Sequence, residues 1–137
     1  MSDRTALAAA PLSPVRGGIE VIAAARRDGA VWRSAAALPV DAAEPVFAGH
    51  FPGRPVFPGV CLIDAVFAAA RLTGPAAGSD RAALAAVESA RFRDAVLPGD
   101  RVTIELTWSG EWRCTAAVST VRGPAASVRL RLAEVAP

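Results

Sequence analysis

Between Pro58-Gly59 and Gly74-Pro75 lies the one stretch of this 137-residue chain with a good helical pattern, and that solitude narrows what the chain can fold into. Proline at a helix start costs no hydrogen bond, because the first N–H groups have no intrahelical acceptor, and Gly-Pro stops the helix at its far end. A helix is therefore expected over 59–72. Almost everything else reads as strand. Residues 19–25 and 31–40 are rich in Val, Ile and Ala, turn at Asp28-Gly29, carry Trp32 and are edged by Pro39. Residues 82–95 carry Leu84, Val87 and Phe92, although the Ala-rich first half also admits a helical turn. Residues 101–108 alternate: Val102, Ile104, Leu106 and Trp108 on one face, Thr103, Glu105 and Thr107 on the other, the mark of a half-buried antiparallel strand. Ser109-Gly110 turns into 111–121, and Gly123-Pro124 punctuates again before 126–134. One helix and five or six strands predict an α+β domain with an antiparallel sheet packed on the helix. The domain is expected over 15–137, behind a disordered Ala/Pro/Ser-rich arm at 1–14.

Composition excludes several functions. Hydrophobic residues make up 53% and aromatics only 6%, so Ala and Val must fill much of the core. The formal net charge is +2, with no basic run longer than Arg26-Arg27, so no stripe for nucleic acid exists. The most apolar stretch, 56–70, is broken by Asp64 and too short to span a bilayer. Residues 5–12 make a poor secretory signal core, so a cytoplasmic protein is expected. One His and two scattered cysteines, Cys61 and Cys114, are too few for a soft-metal site and have no CxxC spacing, so no metal is expected. A hydrolase nucleophile elbow, a phosphate-binding P-loop and a dinucleotide fingerprint are all absent.

The chemistry concentrates in residues 50–64, His-Phe-Pro-Gly-Arg-Pro-Val-Phe-Pro-Gly-Val-Cys-Leu-Ile-Asp. His50 is the only histidine, and Pro52, Pro55 and Pro58 stiffen the loop behind it. A rigidly placed imidazole, neutral near pH 7, suits abstraction of a proton beside a thioester carbonyl. The first N–H groups of the helix, at Gly59 and Val60, have no intrahelical acceptor and can hold a developing oxyanion. Asp64 sits one turn inside. Val60, Phe67 and Ala68 share its side, so an apolar, buried setting with a raised pKa is expected, as a general acid requires. The plain alternative is an Asp at the solvent edge of the helix.

The segment resembles the active-site signature of hot-dog-fold 3-hydroxyacyl-(acyl carrier protein) dehydratases: His-Phe-Pro-Gly-x-Pro, a small apolar residue, x-Pro-Gly-Val, and an acid fourteen positions after the His. Ser89-Ala90-Arg91-Phe92-Arg93 and Leu97-Pro98-Gly99-Asp100 resemble a second family motif, and the likeness runs over roughly residues 30–133. The acid is Asp here, where the housekeeping dehydratases have Glu, and Ala68 stands where both branches of the family usually have Gln. The resemblance implies a hot-dog fold, with the sheet wrapped around the long helix. It implies a dehydratase giving a 2-enoyl thioester in fatty-acid or polyketide/polyene biosynthesis. In that reading His50 is the base, Asp64 the acid, and Gly59 with Val60 the thioester carbonyl site. Phe51, Phe57 and Phe92 would line an acyl tunnel, although aromatics so spaced are more often plain core. No cofactor is implied beyond the phosphopantetheine of the substrate's acyl carrier protein, whose acidic surface Arg54, Arg91 and Arg93 could meet. The family further implies a homodimer or higher homo-oligomer with sites shared between subunits. The alternatives are a dehydratase-isomerase or enoyl hydratase of the same fold, and a non-catalytic hot-dog subunit that pairs with an active homologue.

Overall fold

The computed structural model describes residues 18–43, 56–75 and 82–134. The arm at 1–14, and most of the proline loop with His50 and Phe51, lie outside the described residues. Two strands, β1 (Glu20–Asp28) and β2 (Val31–Pro39), precede the helix α1 (Gly59–Thr73). Four more follow: β3 (Ala82–Phe92), β4 (Arg101–Trp108), β5 (Arg113–Thr120) and β6 (Gly123–Glu134). They form one six-stranded sheet in the order β1-β2-β4-β5-β6-β3, antiparallel at every pairing. The α+β architecture expected from the sequence is therefore the one observed.

Period-two patterning decides which side of the sheet faces inward. In β4, Val102, Ile104, Leu106 and Trp108 are buried, while Arg101 and Glu105 are exposed. Cys114, Ala116 and Val118 of β5 and Val128, Leu130 and Leu132 of β6 continue the same inner face. Against it lies the buried side of α1: Cys61, Leu62, Ala65, Val66, Ala69, Ala70 and Thr73. The three alanines let the helix backbone approach the sheet closely, while Trp108, Phe57 and the leucines Leu38, Leu62, Leu106 and Leu130 supply bulk.

Several boundaries differ from the sequence reading: β1 runs on to Asp28 rather than ending at 25, and β5 starts at Arg113 rather than 111. The Ala-rich start of β3 is strand, not helical turn, because its full length pairs with β6. That strand stops at Phe92 rather than 95. Gly123-Pro124 lies inside β6 rather than before it. Proline is tolerated there because β5 is irregular between Val118 and Ser119, and pairing with β3 begins only at Ala126.

Candidate active site

Helix α1 starts without ceremony. Pro58 occupies the N-cap position in extended conformation, no side chain caps the helix, and the first turn holds no acidic residue. The Pro58 carbonyl accepts from the N–H groups of Cys61 and Leu62, at 3.0 and 3.1 Å. The N–H groups of Gly59 and Val60 have no acceptor among the described residues, so the positive end of the helix dipole is left open.

Gly59 is there for a steric reason. A Cβ built on it would come within 2.9 Å of Phe92 Cζ and 3.2 Å of two further ring atoms. The ring at the end of β3 thus rests on the helix start, and only a residue without a side chain lets it come so close. Beside this contact opens a cleft of about 430 Å³, lined by Phe57, Gly59, Leu62, Phe92 and the stretch Arg93–Val96, together with Val56. Phe57 is buried, whereas Phe92 is 51% exposed. Of the residues the sequence singled out, the structure gathers Gly59, Phe57 and Phe92 around one cleft.

Arg93 lines the same cleft, but Val60, Asp64 and Arg91 do not. Val60 is 73% exposed and Asp64, four residues on, is exposed as well. Phe67, one turn on, is half-buried against the core and carries the Arg71 guanidinium 5.7 Å from its ring. The expected burial of Asp64 is thus corrected for the single chain. Its apolar neighbours are real, but they leave it uncovered: Val60 is exposed, and Phe67 and Ala68 are only half-buried at the flank of the side committed to the sheet. Arg91 and Arg93 are exposed, and Arg54 falls outside the described residues with His50 and Phe51.

The second sequence motif contributes Phe92 and Arg93 to the cleft, and its other half, the turn at 97–100, follows directly on the lining stretch. Residues Leu97 to Asp100 form a turn in which Gly99 has φ 89°. Asp100 accepts from the Leu97 N–H at 2.7 Å and from both terminal nitrogens of Arg122 at 2.6 and 2.9 Å. The guanidinium, more than the turn N–H, holds the Asp100 carboxyl below its ordinary range against the opposing effect of burial. Arg122 was not visible as a site residue in the sequence: it stands in a β-turn 22 positions away. The turn chemistry of Pro98-Gly99-Asp100 was the only available signal.

Neither cysteine forms a disulfide, and burial pushes the Cys114 thiol up to about 12, which makes it a poor nucleophile. Among the described residues no group of three His, Cys, Asp or Glu could hold a metal ion. No described helix is long and apolar enough to cross a membrane.

Comparison with known proteins agrees with this picture. The model of the ApeI-like family, described as ApeI dehydratase, matches residues 28–128. A 3-hydroxyacyl-(acyl-carrier-protein) dehydratase FabZ of Desulforamulus reducens is 50% identical over 70 residues, 49% of this chain and 49% of its own length. The FabZ of Vibrio atlanticus is 40% identical over 83 residues, 57% of this chain and 55% of its own. The chain thus spans about half the length of these curated relatives. Among solved structures, the dehydratase heterocomplex ApeI:P of Xenorhabdus doucetiae superposes with a TM-score of 0.66 at 20% identity, covering 85% of this chain and 99% of that one. An uncharacterized protein of Erwinia carotovora superposes with a TM-score of 0.69 at 23% identity, covering 86% and 98%. Likeness at such identities speaks for the hot-dog fold alone.

Proposed function

The chain belongs to the ApeI-like dehydratase family, and from that premise we propose that it removes water from a 3-hydroxyacyl thioester carried on an acyl carrier protein. One observation carries the proposal. The His50-to-Asp64 segment leads directly into the open N-terminus of α1, where Gly59 stands bare beneath Phe92 at the mouth of a cleft.

In the proposed step the imidazole of His50 takes the C2 proton. The electron pair moves toward the thioester carbonyl, whose oxygen the Gly59 N–H holds, with that of Val60 beside it. The C3–O bond then breaks as Asp64 delivers its proton to the departing hydroxyl. Water leaves with the proton from Asp64, the 2-enoyl thioester follows, His50 keeps the proton taken from C2, and exchange with solvent resets both. The step is redox-neutral and uses only side-chain and backbone groups, so we assign no resident cofactor; the phosphopantetheine arm arrives with the substrate. Phe57 and Phe92 supply apolar surface for the acyl chain. Two buried thiols suit a reducing compartment, so the cytoplasm is the proposed location.

We propose that the site is shared between two copies. Asp64 and Val60 face outward from the single chain, so a second molecule must desolvate them. The edge strand β3 offers the means, with Leu84, Val87 and Phe92 partly exposed along it. An isologous dimer would make two equivalent sites. Mixing tests it: His50→Ala and Asp64→Ala, each inactive alone, should regain activity when co-refolded. If subunits exchange and no activity returns, the shared site is wrong.

A second reading is a non-catalytic subunit of a heterodimer, favoured by Ala68 in place of the family's Gln and by the heterocomplex of the ApeI:P neighbour. The decisive experiment is to incubate the purified protein alone with a 3-hydroxyacyl carrier protein and follow loss of water by mass spectrometry. Turnover by the lone protein supports the first reading. Turnover only with an added homologous dehydratase supports the second. A specialised polyketide or polyene pathway, rather than housekeeping lipid synthesis, is the proposed context, since the Asp joined to a dehydratase-type loop departs from the housekeeping pattern.

A further inference from the structure

Four of the residues that line the cleft, Arg93 to Val96, belong to no strand or helix. Such a stretch keeps its shape only through individual bonds. Toward β6, the N–H groups of Arg93 and Asp94 both donate to the Ala125 carbonyl, at 2.8 and 3.2 Å. Toward α1, the Val96 carbonyl accepts from the Phe57 N–H at 2.7 Å. Between these two attachments stands the Ala95 carbonyl, and its partner is a side chain: Arg122, whose Nη2 donates to it at 3.0 Å.

The same guanidinium grips Asp100 with two nitrogens and stands 4.0 Å from an oxygen of Asp94. Asp100 in turn holds the Leu97 N–H. One planar fork therefore ties the wall at Asp94–Ala95 to the turn at 97–100 that follows it. The hairpin between β5 and β6 presents that fork. Thr120 Oγ1 accepts from the Arg122 N–H at 3.2 Å, and Gly123 turns the chain with φ 117°. Arg122 touches neither Gly59 nor Asp64, and its contacts with the cleft are all made through the wall.

We infer that Arg122 is a positioning residue that sets the shape of the cleft wall at 93–96, and through it the preference for acyl chain length. The selectivity half rests on the dehydratase reading above; the positioning half does not. A lysine at 122 could keep the charge pair with Asp100, but a point charge cannot hold a carboxylate and the Ala95 carbonyl in one plane. Arg122→Lys thus separates positioning from simple charge compensation.

The test has two readouts, with Arg101→Lys as control, since Arg101 pairs with Glu20 at 2.7 Å outside the cleft wall. In hydrogen exchange, the Ala95 and Leu97 amides of Arg122→Lys should exchange roughly tenfold faster, the scale of one lost charge-assisted hydrogen bond, while β4 and β5 are unchanged. In turnover, KM for the preferred 3-hydroxyacyl thioester should rise several-fold with kcat nearly constant, and the preference among chain lengths should flatten. The control should match the parent in both. Unchanged exchange at 95 and 97 overturns the inference. Faster exchange with unaltered chain-length preference overturns its selectivity half. If the parent turns over no 3-hydroxyacyl thioester, the dehydratase reading has failed, and exchange alone decides whether Arg122 positions the wall.

Discussion

The two ends of α1 are built to opposite specifications. At the C-terminal end the buried polar side chains are paired with one another. Trp108 Nε1 donates to Ser34 Oγ at 3.0 Å, Thr73 Oγ1 lies 2.9 Å from that same oxygen, and Thr73 Oγ1 donates to the Ala69 carbonyl at 2.8 Å. Each hydroxyl has one proton, so the chain must run from Trp108 through Ser34 and Thr73 to Ala69. Gly74 closes the end against the Trp108 ring, where a Cβ would stand 2.4 Å from Cζ2. At the N-terminal end, 15 residues earlier, no side chain caps the helix, Val60 and Asp64 face outward, and the space beside Gly59 is a cleft. One end ties helix to sheet; the other leaves backbone donors open among the described residues and a carboxylate on the exposed side. A helix sealed at both ends would be more stable and could do nothing with its dipole.

The contrast can be broken from either side. The largest effect is expected at the open end: His50→Ala and Asp64→Asn should each lower dehydration by about 10²–10⁴-fold, the usual loss for a positioned base or acid. Thermal melting should be unmoved for Asp64→Asn, because the side chain is exposed in the single chain. Near-parental turnover by either variant would remove that residue from the proposed step. At the closed end the response is reversed. Trp108→Ala should cost about 3–5 kcal/mol in denaturant unfolding, since it empties a fully buried site and strands Ser34.

Smaller changes sharpen the comparison. Ser34→Ala should cost about 1–3 kcal/mol, by leaving the Trp108 N–H and a Thr73 lone pair without partners. Gly59→Ala should cost less than that, because the Phe92 ring it meets is half exposed and can swing away. Turnover should nonetheless fall, as the added methyl intrudes on the cleft. If Ser34→Ala melts like the parent, the closed end is not the anchor described above. The smallest effect concerns pH. The Asp100 carboxyl is held below its ordinary value of 3.8, so its stabilising contribution is present above that value and is lost as pH falls through its lower folded value. Asp100→Asn should abolish this part of the acid dependence, measured as unfolding midpoints between about pH 2 and 5, and lower stability at neutral pH by about 1–2 kcal/mol.

Much of this was legible before any coordinates. The inner face of β4 could be counted off residue by residue, because alternation in a sheet buried on one side is a direct consequence of strand geometry. The helix could be bounded from its Pro and Gly signals to within one residue. The His50 loop and the Asp64 offset stood out because the residues lie close in sequence. The exposure of Asp64 was misjudged from the same kind of pattern. Apolar neighbours on one side of a helix say that the side is apolar, not that anything covers it.

The residues by themselves determined the elements and their inward faces, since propensity, turn chemistry and periodicity act over a few positions. They also supplied the candidates for the proposed site, because one loop and one helix start carry them. Only the tertiary structure decided the sheet order β1-β2-β4-β5-β6-β3, which side of α1 the sheet would take, and that Phe92 would lie on Gly59. It alone brought Arg122 to Asp100 and Ala95, and Ser34 to Thr73 and Trp108. Those meetings join residues 22 to 74 positions apart. They are fixed by how a curved sheet closes over one helix, a packing problem solved by the whole chain at once and written in no local pattern.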